Sequence, residues 1–150
     1  MPINNGWIKI GAFVAAMAVV LGGLDWHQAI SPGRSSIGEA AALEAAAIST
    51  AVYFQFVHAL AIILVGVLGV LRPSRLLWIN AFCFLIGVIL FSGSVYLSVV
   101  FVDVLWLQYV KLAGVFTLAC AWILLVEAGC PGWNKKEPDS VNPTSEESSE

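Results

Sequence analysis

Charge is what this sequence has least of. Asp, Glu, Lys and Arg together make up 11% of its 150 residues, against about 25% in soluble domains. So few charged heads cannot cover a water-facing surface, which excludes an ordinary soluble domain. The seven Lys and Arg are scattered, with no basic stripe, and nucleic acid is excluded as a partner on that ground. The net charge of −3 is not a property of the body of the chain. Five of the ten acids (Glu137, Asp139, Glu146, Glu147 and Glu150) fall in the last fourteen residues.

Cysteine is also scarce. Cys83, Cys120 and Cys130 are odd in number and match no zinc or redox spacing. The first two lie in apolar runs, where a thiol behaves as a small hydrophobe. No disulfide framework, metal site or cofactor is expected. Catalytic constellations are lacking too: the chain has no nucleophile elbow, no glycine-rich phosphate loop and no paired carboxylates within its apolar segments. Ser92-Gly93-Ser94 resembles a nucleophile turn only superficially, because it sits inside a helix-length apolar run with no flanking strand. No catalytic residue is assigned, and the chain is read as a non-enzyme.

What the sequence has instead is hydrocarbon. Hydrophobic residues reach 59% and the mean hydropathy is +0.88, which makes lipid part of the solvent. A bilayer core of ~30 Å is crossed by about 20 apolar residues in a helix. Four segments meet that length: about 7–24, 50–71, 76–101 and 105–126. The expected fold is an all-α, four-helix transmembrane bundle over residues 1–130. An Ala-rich interfacial helix over about 37–49 is expected to precede the second span. Residues 131–150, rich in Pro, Ser, Asn and Glu, read as a disordered acidic tail. The first segment also fits a cleaved signal peptide by length, although its Gly-Gly-Leu-Asp-Trp-His exit offers no clear small-x-small cleavage site.

Counting Lys and Arg sets an expected orientation. Lys9, Arg72, Arg75, Lys135 and Lys136 fall on one side, and Arg34 and Lys111 on the other. The richer side is cytoplasmic by the positive-inside rule, placing both termini there, in a bacterial plasma membrane. Trp7, Trp78 and Trp133 then mark the inner interface, and Trp26 and Trp106 the outer one.

This topology gathers the intramembrane polar groups at one level. Gln55 and His58, three residues apart, share a face of helix two. Ser92, Ser94 and Tyr96 occupy the later part of helix three, so all five are expected in the outer half. Asp25, His27 and Lys111 border that half as a rim. The inner half reads as almost purely apolar, over Ile62–Leu71, Leu76–Leu90 and Thr117–Val126. Polar groups in hydrocarbon are costly unless paired, which leaves two readings. One is a hydrogen-bonded knot between helices. The other is a site open to the outer side for a small ligand, a proton or a metal, with His58, His27 and Asp25 as ligands. Lys111 either snorkels to the headgroups or pairs with Asp25 or Asp103. In helix one, Gly11, Ala15, Ala18 and Gly22 recur at helical spacing and form a face that lets another helix approach closely.

Two stretches carry a family resemblance. Thr50-Ala51-Val52-Tyr53-Phe54-Gln55-Phe56-Val57-His58-Ala59-Leu60 and Phe91-Ser92-Gly93-Ser94-Val95-Tyr96 resemble the small four-helix membrane family of unknown function that includes bacterial YgdD-type proteins and eukaryotic transmembrane protein 256. The likeness runs over residues 7–127. Leu21-Gly22-Gly23-Leu24-Asp25-Trp26-His27 looks like that family's glycine-rich exit from helix one, and Ala121-Trp122 like its closing Gly-Trp. The chain departs from the pattern at Asp25-Trp26, Phe54 and Lys111-Leu112, and keeps only Gly114 of a double glycine. The resemblance implies the fold and no established activity. The expected role is that of a scaffold or accessory subunit acting through helix contacts, with lipid and other membrane subunits or a second copy as partners. The alternative is a small transporter or channel component using the outer polar cluster.

Overall fold

The computed structural model describes residues 4–29, 38–101 and 105–129, with side chains described at all but 4, 5, 25–29, 39–41, 100 and 129. Among the described residues there are four helices and no strand: α1 (Asn4–Ala29), α2 (Glu39–Leu71), α3 (Arg75–Val100) and α4 (Leu105–Gly129). Each contains a stretch long and apolar enough to cross a bilayer. The chain is a polytopic membrane protein with an all-helical bundle.

Two boundaries differ from expectation. Gly22, Gly23 and Asp25 suggested an end to α1 near 24, yet the helix continues to Ala29. Gly22 acts there as a contact, since a Cβ on it would lie 3.2 Å from Val52 Cγ1. Glycine costs about 1 kcal/mol in a water-exposed helix, but in a packed membrane helix it gives close approach in return. The interfacial helix expected over about 37–49, leading into the second span, joins it without a break, and α2 runs for 33 residues. Neither Gly nor Pro interrupts it between Glu39 and Val65, and alanine is the strongest helix former. At 1.5 Å per residue α2 is about 50 Å long, well beyond a bilayer core.

The α2–α3 connection is short. Arg72 ends α2 with its N–H on the Leu68 carbonyl, at 2.7 Å. Pro73 cannot donate to a helical bond. Ser74 caps α3, its Oγ accepting from the Leu76 N–H at 3.2 Å, which satisfies one of the donors every helix start leaves free.

Successive helices pack antiparallel. Along α1 and α2, Gly11 faces Ala59 and Ile63, Gly22 faces Val52, and Gly66 faces Trp7 and Ile8. Along α3 and α4, Gly87 faces Leu118 and Gly114 faces Phe91. Index rises on one helix as it falls on the other. The tightest approach to another backbone is at Gly114, where a Cβ would lie 2.6 Å from the Phe91 backbone nitrogen.

The core runs through all four helices: Trp7 of α1, Ala61, Ile62 and Val65 of α2, Leu77, Ala81, Phe84 and Val88 of α3, and Leu118 and Ala121 of α4. Large apolar side chains also cover the outside, among them Phe13, Met17, Leu64, Ile89, Phe116 and Ile123, as hydrocarbon solvent permits. Trp7, expected with Trp78 at the inner interface, is turned inward between helices. It is 6% exposed, and its ring meets Trp78 and Phe82 edge-on at 6.1 and 5.3 Å. An aromatic ring buries more area between helices than at a headgroup, and here it ties α1 to α3. Trp78 and Trp106 are exposed, as belt residues would be.

Candidate functional site: the polar groups between the helices

Gln55 is the centre of the polar level. It is 7% exposed and uses both ends of its amide. Its Nε2 donates to the Val14 carbonyl of α1 at 3.1 Å. Its Oε1 accepts from the Tyr96 hydroxyl of α3 at 2.9 Å. One side chain on α2 thus links three helices. Ser92 adds a second α3–α2 link, its Oγ donating to the Ala51 carbonyl at 3.0 Å. Where the alternative in hydrocarbon is an unpaired dipole, such bonds fix which helix faces which.

His58 does not join this relay, although it lies one turn from Gln55. Its Nδ1 is 2.6 Å from the Phe54 carbonyl of its own helix. A carbonyl only accepts, so Nδ1 carries the proton and the neutral ring leaves its lone pair on Nε2. The imidazole is boxed by aromatic rings. Phe54 stacks on it at 5.7 Å, Phe84 lies at 5.9 Å and Trp122 meets it edge-on at 6.1 Å. The box joins α2, α3 and α4, so His58 acts as an aromatic packing residue whose one polar hydrogen is turned back on its own backbone.

The remaining expected site residues are dispersed. Ser94 bonds the Phe91 carbonyl of its own helix at 2.8 Å, a common way for a hydroxyl to be satisfied in a membrane helix. Lys111 is half-buried and directs Nζ to the Ser98 Oγ of α3 at 3.4 Å. The backbones of Asp25 and His27 lie in the last turns of α1, while their side chains, and Asp103 altogether, lie outside the described residues. Arg34, Trp133 and the 131–150 tail lie outside them as well. Among the described residues no three His, Cys, Asp or Glu side chains come close enough to hold a metal. Cys83 and Cys120 are free thiols, one half-buried and one exposed.

The small face of α1 is occupied within the chain. Gly11 is buried with the Ala59 carbonyl 2.9 Å and Ile63 Cγ1 2.7 Å from where its Cβ would be. Ala18 is 1% exposed, Gly22 meets Val52, and Ala15 is half-buried. The face that sequence pattern offers to a partner helix therefore meets α2 of the same molecule.

The reading of Leu76–Leu90 as almost purely apolar missed Asn80, which is 0% exposed. Its Nδ2 donates to the Ala121 carbonyl of α4 at 2.6 Å. Its Oδ1 is buried with no hydrogen-bond partner among the described residues. The signal was present: Asn80 is the lone side-chain amide in that run. Its neighbour in this contact, Trp122, belongs to the box around His58, so the Ala121-Trp122 pair is held through its carbonyl by Asn80 and through its ring by Phe84 and His58.

No curated protein and no solved structure matches the chain. A family model does match, over residues 34–117, which takes in all of α2 and α3 and the first half of α4, with Gln55, His58, Asn80, Ser92 and Tyr96 but without Val14, Ala121 and Trp122. The chain belongs to the family described as protein of unknown function DUF423.

Proposed function

We propose that this chain is a non-enzymatic membrane protein that acts through helix contacts, as a scaffold or accessory subunit of a larger membrane assembly. The observation that carries this reading is the internal pairing of its polar groups. Gln55, Tyr96 and Ser92 are each engaged with another helix, and His58 is turned to its own backbone. Groups that bind substrate or pass ions are held open toward a cavity, whereas these brace a scaffold. The small face of α1 is already used by α2, so a partner would meet the larger apolar side chains of the flanking helices, such as Phe13 on α1 or Phe116 on α4.

The test is crosslinking in native membranes followed by purification in mild detergent. A stoichiometric partner or a defined oligomer supports the reading, and a monomer with no companion overturns it. Flux across vesicles holding purified protein separates it from a transporter. Flux above that of empty vesicles, abolished in His58→Ala, would replace the scaffold by the transport reading.

The same proposal places both termini in the cytoplasm of a bacterial plasma membrane, on the five-to-two excess of Lys and Arg. Single cysteines replacing Ser74 and Asp103, in a background without the native cysteines, test the orientation with an impermeant thiol reagent. In intact cells Asp103→Cys is expected to label and Ser74→Cys to stay protected. The reverse pattern inverts the topology.

A further inference from the structure

We propose that Asn80 holds a water molecule inside the bundle, bound to its side-chain oxygen. The side chain is fully buried between α3 and α4, among the buried apolar residues Leu77, Ala81, Phe84 and Ala121. Its orientation is fixed by chemistry. With the Ala121 carbonyl oxygen 2.6 Å away, only the amide nitrogen can occupy that position, because two oxygens would repel. Oδ1 therefore points elsewhere, and no donor among the described residues reaches it. A buried amide oxygen is rarely left without a donor in a native fold.

Water is the donor that fits. The packing leaves Oδ1 no accessible surface, so a donor enters only as the side chains beside it shift, and the smallest donor needs the smallest shift; water can also donate its second proton to a helical carbonyl, each of which has two lone pairs. The path is short. Asn80 lies five residues into α3 from Arg75, about 7.5 Å along the axis. Arg72 and Arg75 mark that end of the bundle and are exposed, so headgroup water stands little more than one helical turn away. Gln55 needs no such guest, because Tyr96 supplies its donor. The site is thus specific to the α3–α4 contact and independent of any partner of the whole chain.

The experiment is water-edited solid-state NMR on the wild-type protein in lipid bilayers, with asparagine labelled selectively. The chain has five asparagines, and the Asn80 side-chain signal is identified by its loss in Asn80→Leu. Magnetisation from water is expected to reach the Asn80 side-chain amide several-fold faster than the Asn80 backbone amide. Equal build-up overturns the proposal, as does a direct contact between Oδ1 and a protein donor such as the Trp122 indole.

Discussion

The two hairpins of the bundle are built on the same plan and finished differently. In each, glycines bring the backbones together, Gly11 and Gly66 in α1–α2 and Gly87 and Gly114 in α3–α4. In each, one buried amide reaches across to a main-chain carbonyl, Gln55 to Val14 and Asn80 to Ala121. Gln55 has its oxygen satisfied by Tyr96, whereas the Asn80 oxygen finds no donor among the described residues. The first amide is also a junction, since Tyr96 belongs to α3. The second serves α3 and α4 alone. The comparison teaches that close backbone approach and a single amide bond suffice to pair two membrane helices, and that a second bond on the same amide turns a pair into a three-helix unit.

The largest way to break this plan is to fill a glycine. Gly114→Ala places a methyl 2.6 Å from the Phe91 backbone nitrogen and 2.9 Å from its Cα. Backbone cannot yield as a side-chain tip does, so a loss of about 3 kcal/mol is expected, at the upper end for overpacking, measured by reversible unfolding in detergent micelles. Gly93→Ala, with nothing within 4 Å of the added carbon, serves as its control and should leave the midpoint within about 0.5 kcal/mol.

Next comes the junction. Gln55→Leu removes two interhelical bonds and leaves the Tyr96 hydroxyl and the Val14 carbonyl without that partner. Membrane hydrogen bonds contribute on average ~0.6 kcal/mol and up to about 1.7, so the pair together should cost about 1.5 kcal/mol in the same assay. Tyr96→Phe added to Gln55→Leu should recover part of the loss, because the stranded hydroxyl goes with it. Additive losses would show that the relay is not coupled.

Ser92→Ala sharpens the comparison further, since it cuts an α3–α2 link that does not pass through Gln55. Its expected cost is about 0.6 kcal/mol. The smallest effect is expected at Lys111. Its contact with Ser98 is long, at 3.4 Å, and a lysine near a helix end is usually served by headgroups and water. Lys111→Met should therefore change stability by less than about 0.5 kcal/mol. A loss above 2 kcal/mol would instead point to a buried ion pair, with Asp25 or Asp103 as the carboxylate.

The spans were legible because membrane thickness imposes a length, and runs such as Leu85–Leu90 leave little ambiguity about solvent. Where sequence reading erred, it applied the grammar of helices in water. Gly22-Gly23 looked like an exit, yet α1 runs through both and Gly22 is a contact with Val52. The alanines from 40 to 47, read as an interfacial helix leading into the second span, are continuous with it in α2. Partnerships were less legible than positions. Gln55 and His58 share a face by spacing, yet one side chain crosses to α1 and α3 and the other folds back to Phe54. Only the tertiary neighbours decide that. Asn80 was hidden by its company: one amide among fourteen residues of another kind does not alter the average of a run, though it decides how α4 attaches.

The tight link at Arg72-Pro73-Ser74 has a mechanical consequence. Its two hydrogen bonds, from Arg72 to Leu68 and from Leu76 to Ser74, cap α2 and α3 where three residues join them, and Ser92 and Tyr96 pin the far end of the same pair. Helices fastened at both ends form a stator. α1 and α4 are clamped onto it in turn, by Gln55 on Val14 and the ring of Trp7 on one flank and by Asn80 on Ala121 and the approach of Gly114 to Phe91 on the other.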